Sequence, residues 1–61
     1  MTINDDIILR QKELERSIQD LLVFMHSCIR RKDWHGVRDA AADIEKLECE
    51  LSGIQLVLKN I

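Results

Sequence analysis

Eight apolar residues in the second half of the chain, Val37, Ala40, Ile44, Leu47, Leu51, Ile54, Leu58 and Ile61, recur at alternating steps of three and four. That spacing draws one continuous apolar stripe along an α-helix. Sustained over more than three heptads, it predicts a helix that packs lengthwise against other helices. The first half repeats the pattern less regularly. Ile7, Leu14, Ile18, Leu21, Met25 and Cys28 keep the same steps once Gln11 fills one position. Ile8, Leu22 and Ile29 widen the stripe by one row, and Glu15 interrupts that flank.

The signals between the stripes set the element boundaries. Thr2 or Asn4 can cap the first helix, with Asp5 and Asp6 opposing the helix dipole in its first turn. Arg30, Arg31 and Lys32 stand where cations favour a helix C-terminus, and Asp33 is a good N-cap for a helix that begins at Trp34. Gly36 weakens that first turn and permits a close approach by the other helix. The chain is therefore expected to be all-α and one domain, 1–61. Helix 1 is placed at about 4–31, the turn at about 32–33 and helix 2 at about 34–60. Two helices of about 40 Å, joined by two or three residues, must lie antiparallel as a hairpin.

One hairpin leaves too much apolar surface. Leu21 to Met25 is an unbroken run of five apolar residues, and Ile54, Leu56, Val57 and Leu58 repeat the effect near the other end. Such a run covers every side of a helix. Val23, Phe24, Leu56 and Val57 would form an exposed patch in a lone hairpin. Burying each is worth about 1.5–3 kcal/mol, which together rivals the stability of a small domain. The expected assembly is a four-helix bundle, a dimer of hairpins or a tetramer. Its core would be Leu14, Ile18, Leu21 and Met25 with Val37, Ile44, Leu47, Leu51, Ile54 and Leu58.

Composition sharpens this picture in a few places. At 61 residues the chain has room for one domain. Chains this short are marginal alone, and proline is absent, as suits long helices. The net charge of −2 disfavours nonspecific attraction to nucleic acid or an anionic membrane. No apolar stretch reaches the length of a membrane span, and the acidic start is the wrong charge for a targeting segment. Both point to the cytoplasm.

Candidate chemistry is sparse. With the bend near Lys32, Cys28 and Cys49 fall roughly 18 Å apart along the helix axis, beyond disulfide reach. Cys28 belongs to the seam as a small core residue, and Cys49 faces outward as a free thiol. His26 and Cys28 are two positions apart and point in different directions, so no metal or other cofactor is expected. Neither His26 nor His35 has a nucleophile or carboxylate at catalytic spacing, so the chain is expected not to be an enzyme. Glu13, Glu15, Arg16, Asp43, Glu45, Lys46, Glu48 and Glu50 suit solvated helix faces. The small residues Ala40, Ala41 and Ala42 suit close helix packing beside the tip.

The turn is the unusual segment. Residues 21–40 hold four cations against two carboxylates, whereas 1–20 hold three against five and 41–61 hold two against four. Arg30, Arg31, Trp34, His35 and Arg38 form a candidate partner surface, since Arg and Trp are enriched at binding hot spots. The structural alternative is that the cations serve the helix dipole, Asp33 caps, and Trp34 closes the bundle end over Val37 and Cys28.

The segment from Asp33 to Glu48, with its Trp34-His35 turn followed by Ala40-Ala41-Ala42-Asp43-Ile44, resembles small phage and prophage proteins. The opening Ile7-Ile8-Leu9-Arg10-Gln11-Lys12-Glu13-Leu14-Glu15 resembles the short reading frames between the exonuclease and excisionase genes of lambdoid bacteriophages. The resemblance runs over most of the chain and carries no motif of chemistry. It implies a helical early phage protein of the bacterial host cytoplasm, of a kind associated with altering the host cell or the balance of lysis and lysogeny. The expected partners are a second copy of the chain and a host or phage protein. The alternative is an RNA- or DNA-binding hairpin dimer resembling the plasmid copy-control type. It would use Arg10, Lys12, Arg16, Arg30 and Arg31, but Asp5, Asp6, Glu13, Glu15 and Asp20 are interleaved with them. A purely structural scaffold is the third possibility.

Overall fold

The computed structural model describes residues 3–60, and the surroundings of side chains from residue 5 onward. Two helices account for nearly all of them: α1, Ile3–Arg30, and α2, Trp34–Lys59. They pack against each other as an antiparallel hairpin with extents of 44 × 17 × 12 Å. α1 starts and stops one residue before its expected limits of about 4–31, so the connection takes in Arg31 as well as Lys32 and Asp33; α2 begins at Trp34 as expected and ends at Lys59, one residue early. Asn4 lies inside α1 and so does not cap it, while Thr2 and Ile61 fall outside the described residues. Asp5 and Asp6 sit in the first turn of α1 and Arg30 in its last, complementing the dipole at both ends.

The stop of α1 is built by backbone geometry. Lys32 adopts φ 58°, the left-handed region. The Asp33 N–H donates to the Cys28 carbonyl at 2.8 Å, and the Lys32 N–H to the Ile29 carbonyl at 3.0 Å. This pair of bonds is the Schellman arrangement, in which glycine normally takes the left-handed position. A lysine there carries the Cβ penalty that glycine escapes. Asp33 then starts α2. Its Oδ1 accepts from the Gly36 N–H at 3.1 Å, and its carbonyl accepts from the Val37 N–H at 3.1 Å.

The core lies between the helices, along the two stripes. Leu14, Cys28, Ala40 and Ile44 are buried. Ile7, Gln11, Ile18, Leu21 and Met25 of α1, and Val37, Leu47, Leu51, Ile54 and Leu58 of α2, are half-buried. Most residues between them are exposed, Leu22 and Ser27 of α1 being half-buried as well, so each stripe keeps its 3–4 spacing. Ala40 is enclosed, but Ala41 and Ala42 are exposed; only the first of the three alanines serves the helix–helix contact. Gly36 provides the close approach near the turn. A Cβ there would sit 2.7 Å from Cys28 Sγ and 2.8 Å from Asp33 Oδ2.

Around this seam the hairpin has two distinct edges. On one, Arg10 of α1 grips Glu50 of α2: Nη2 donates to Oε1 at 3.0 Å and to Oε2 at 3.2 Å, and Nε to Oε1 at 3.3 Å. Arg10 and Glu50 flank the stripes at the positions that oppose each other in an antiparallel pair of helices. On the other edge a shallow groove runs between α1 and α2. Ile18 and Leu51 form its floor, with Glu15 on one wall and Glu48 on the other. Many large apolar side chains are left in solvent, among them Ile8, Leu9, Val23, Phe24, Ile29, Leu56 and Val57.

Candidate functional site

The five residues of the candidate partner surface come together at the closed end of the hairpin, and all five are exposed. Arg30 ends α1, Arg31 lies in the connection, and Trp34 opens α2 with His35 and Arg38 in its first turns. Trp34 and Arg38 are four apart and therefore neighbours on one helix face. The indole is 61% exposed, so it does not close over Cys28 in the hairpin. Cys28 is enclosed instead by the glycine backbone of α2, which leaves the ring free.

The cations differ in their commitments. Arg31 folds back over the end of α1, where its Nη2 donates to Cys28 Sγ at 3.6 Å, a weak bond to a poor acceptor. His35 Nε2 lies 3.6 Å from Asp39 Oδ2, an ion pair only when the imidazole is protonated. Arg30 and Arg38 make no side-chain hydrogen bond or ion pair with the described residues. The tip thus offers two uncommitted guanidinium groups, of which Arg38 neighbours an exposed indole on the same helix. Guanidinium groups suit carboxylates by bidentate bonding and aromatic faces by stacking, while the indole offers apolar area with one N–H donor.

Arg10 was one of the cations a nucleic acid could use. The structure commits it to Glu50 and, through Nη1 at 3.4 Å, to Glu13. The hydrogen bonding to Glu50 holds the guanidinium above its ordinary pKa, with the nearby carboxylate charge adding to the effect. Sequence spacing alone did not reveal this bridge, because 40 residues separate its partners. The signal that could have found it is positional: opposite charges on the same flank of two antiparallel stripes, at distances from the bend that agree to within about one helical turn.

Both cysteines are free, Cys28 buried and Cys49 exposed. Cys49 lies on the outer face of α2 in a shallow depression with Ala42, Glu45 and Lys46. Among the described residues, no three His, Cys, Asp or Glu side chains gather as a metal site would require. No helix among them is long and apolar enough to cross a membrane. Compared with protein-family models, with curated proteins and with solved structures, the chain finds no match.

Proposed function

We propose that this chain is a small, non-enzymatic early protein of a lambdoid-type phage that self-associates and acts by protein–protein contact. Its place of action is the bacterial host cytoplasm, and its target is a host or phage regulatory protein. The observation that supports the reading best is Trp34, an indole 61% exposed next to the uncommitted guanidinium group of Arg38, at the same end of the hairpin as Arg30. A large aromatic side chain in water has a hydrophobic cost that a partner would relieve. The engagement of Arg10 by Glu50 favours a protein target over RNA, since it takes one of the five cations on which the RNA reading relied.

The test is capture from bacterial lysate by the wild-type chain and by an Arg30→Ala, Arg38→Ala variant. Exposed charges contribute less than about 1 kcal/mol to folding, so the variant should melt and self-associate like the wild type. The wild type should hold a protein in fixed stoichiometry that the variant loses. Identical capture by both, or capture of RNA that falls steeply with salt, would refute the proposal.

A further inference from the structure

We infer that the edge of the hairpin opposite the Arg10–Glu50 clasp seats one amphipathic helix of the partner protein, completing a three-helix bundle. The seated helix carries an apolar stripe, cations over Glu15 and Glu48, and a carboxylate over Arg38. The inference rests on the protein–protein contact proposed above and goes further by assigning the seat and the chemistry of what fills it.

The seat follows from position. The groove has Glu15 and Glu48 on opposing walls, Ile18 and Leu51 on its floor, and Gln19 and Ser52 on its rims. Residues a heptad apart share one side of a helix when two helices pack lengthwise. Steps of seven toward the turn therefore extend each row. The walls continue as Leu22 and Ile29 of α1 and as Ala41 and Trp34 of α2. The floor continues as Met25 and Val37, and the rims as His26 and Arg38. The groove thus runs into the tip and changes character on the way. Two carboxylates stand near its middle; apolar walls and one guanidinium stand at the closed end. Ile29 is 42% exposed and Trp34 61%, so the apolar length lies open to water.

Length and shape suit a helix. From Glu15 to Ile29 is two heptads, about 21 Å or four turns. The wall positions recur every seven residues, the interval at which a helix presents a stripe to a neighbouring pair. The other edge offers no such seat. Its large exposed apolar residues are Phe24 near the closed end and Val57 near the open end, and Arg10 and Glu50 clasp between them.

Charge selects the occupant. Glu15, Glu48 and Arg38 make no side-chain hydrogen bond or ion pair with the described residues, and Lys12, one turn before Glu15, joins neither carboxylate. A second copy set two-fold on this edge would gather four carboxylates with no cation opposite. An anionic membrane would meet the same carboxylates. A helix with Lys or Arg at the level of Glu15 and Glu48 pairs both. A carboxylate about ten residues away on that helix reaches Arg38, since Arg38 precedes Glu48 by ten residues. Val23 and Leu56, on the backs of α1 and α2, stay free for self-association.

Peptide binding read by fluorescence anisotropy tests this. The probe is a labelled helical peptide with a leucine heptad stripe, lysines beside one end of the stripe and glutamates beside the other. The comparison peptide has glutamate at every lysine position. The wild-type chain should bind the first at least tenfold tighter than the second. Glu15→Lys with Glu48→Lys should reverse that order and keep wild-type helicity, because both side chains are exposed. Ile29→Ser should weaken the first peptide at least tenfold, and Val23→Ser less than threefold. Binding that ignores peptide charge, equal effects of Ile29→Ser and Val23→Ser, or no binding at millimolar peptide would overturn the inference. So would a changed oligomeric state of the Glu15→Lys, Glu48→Lys chain without peptide, which would put a second copy on the edge. Ile29-dependent binding to phosphatidylserine vesicles would make the edge a lipid contact and overturn it too. Protein capture from lysate that needs Arg30 and Arg38 but survives Ile29→Ser would overturn the seat and leave the proposed function standing. Peptide binding in the expected order by a chain that captures no lysate protein would fall on the proposed function alone.

Discussion

Adding one methyl group at Gly36 sets two opposing effects against each other. Alanine is the better helix former, by up to about 1 kcal/mol in a helix interior. At Gly36, however, the new Cβ would lie 2.7 Å from Cys28 Sγ, inside contact distance. Cys28 is wholly buried, so its sulfur cannot yield by turning into solvent. The other neighbour, Asp33 Oδ2 at 2.8 Å, belongs to the carboxylate that caps α2 through Oδ1. Rotating it away threatens a cap worth about 0.5–2 kcal/mol, and overpacking a core site costs about 1–3 kcal/mol. Gly36→Ala should therefore destabilise by about 1–2 kcal/mol net of the helix gain. Gly53 is the internal control: it lies in the same helix, and a Cβ there meets nothing within 4 Å. Gly53→Ala should stabilise by about 1 kcal/mol. For a chain this size 1 kcal/mol moves Tm by about 4–8 °C, so the two variants should melt roughly 10–20 °C apart. The measurement is far-UV circular dichroism melting in reductant, at one protein concentration because association contributes to apparent stability. Cys28→Ala with Gly36→Ala should recover part of the loss, since the methyl then occupies the space the sulfur left. A Gly36→Ala chain that melts as high as Gly53→Ala, or no coupling with Cys28→Ala, would refute the argument that close approach decides this position.

The remaining expectations concern the turn and the thiols. Lys32→Gly removes a Cβ from a left-handed residue and should stabilise by about 1 kcal/mol, an effect read by urea denaturation; an unchanged midpoint would mean that the strain is relieved elsewhere. Native thiol labelling should modify Cys49 much faster than Cys28, and strong reductant should leave helicity and oligomeric state unchanged. Equal rates would show that the end of the hairpin opens readily.

Much of the architecture was legible because its signals are local. The 3–4 stripe, Asp33 before Trp34, and cations at the end of α1 act within one or two helical turns, where geometry is set by the 3.6-residue repeat. Asp33 does cap α2 through the Gly36 N–H, and the stripes do line the contact between α1 and α2. The stop of α1 falls one residue before its expected place, and its device, a left-handed Lys32, lacks the glycine that usually announces it. For the candidate surface, exposure of Arg30, Arg31, Trp34, His35 and Arg38 was foreseeable, but their commitments were not. Arg31 turns back to the Cys28 sulfur, and Trp34 stays in solvent because Gly36 already covers the site it could have filled.

By itself, the sequence determined that there are two helices, that they fold back on each other, and which side of each faces the other. Those properties follow from residues close together in the chain. The tertiary structure decided how the helices slide against each other. That one displacement selects Ala40 over Ala41 and Ala42 for burial, brings Gly36 onto Cys28, and joins Arg10 to Glu50 across 40 residues. Periodicity is unchanged when one stripe slides past another by a heptad, so it leaves the register open. The length of the turn, its left-handed Lys32 and the fit of small residues at the closed end remove that freedom.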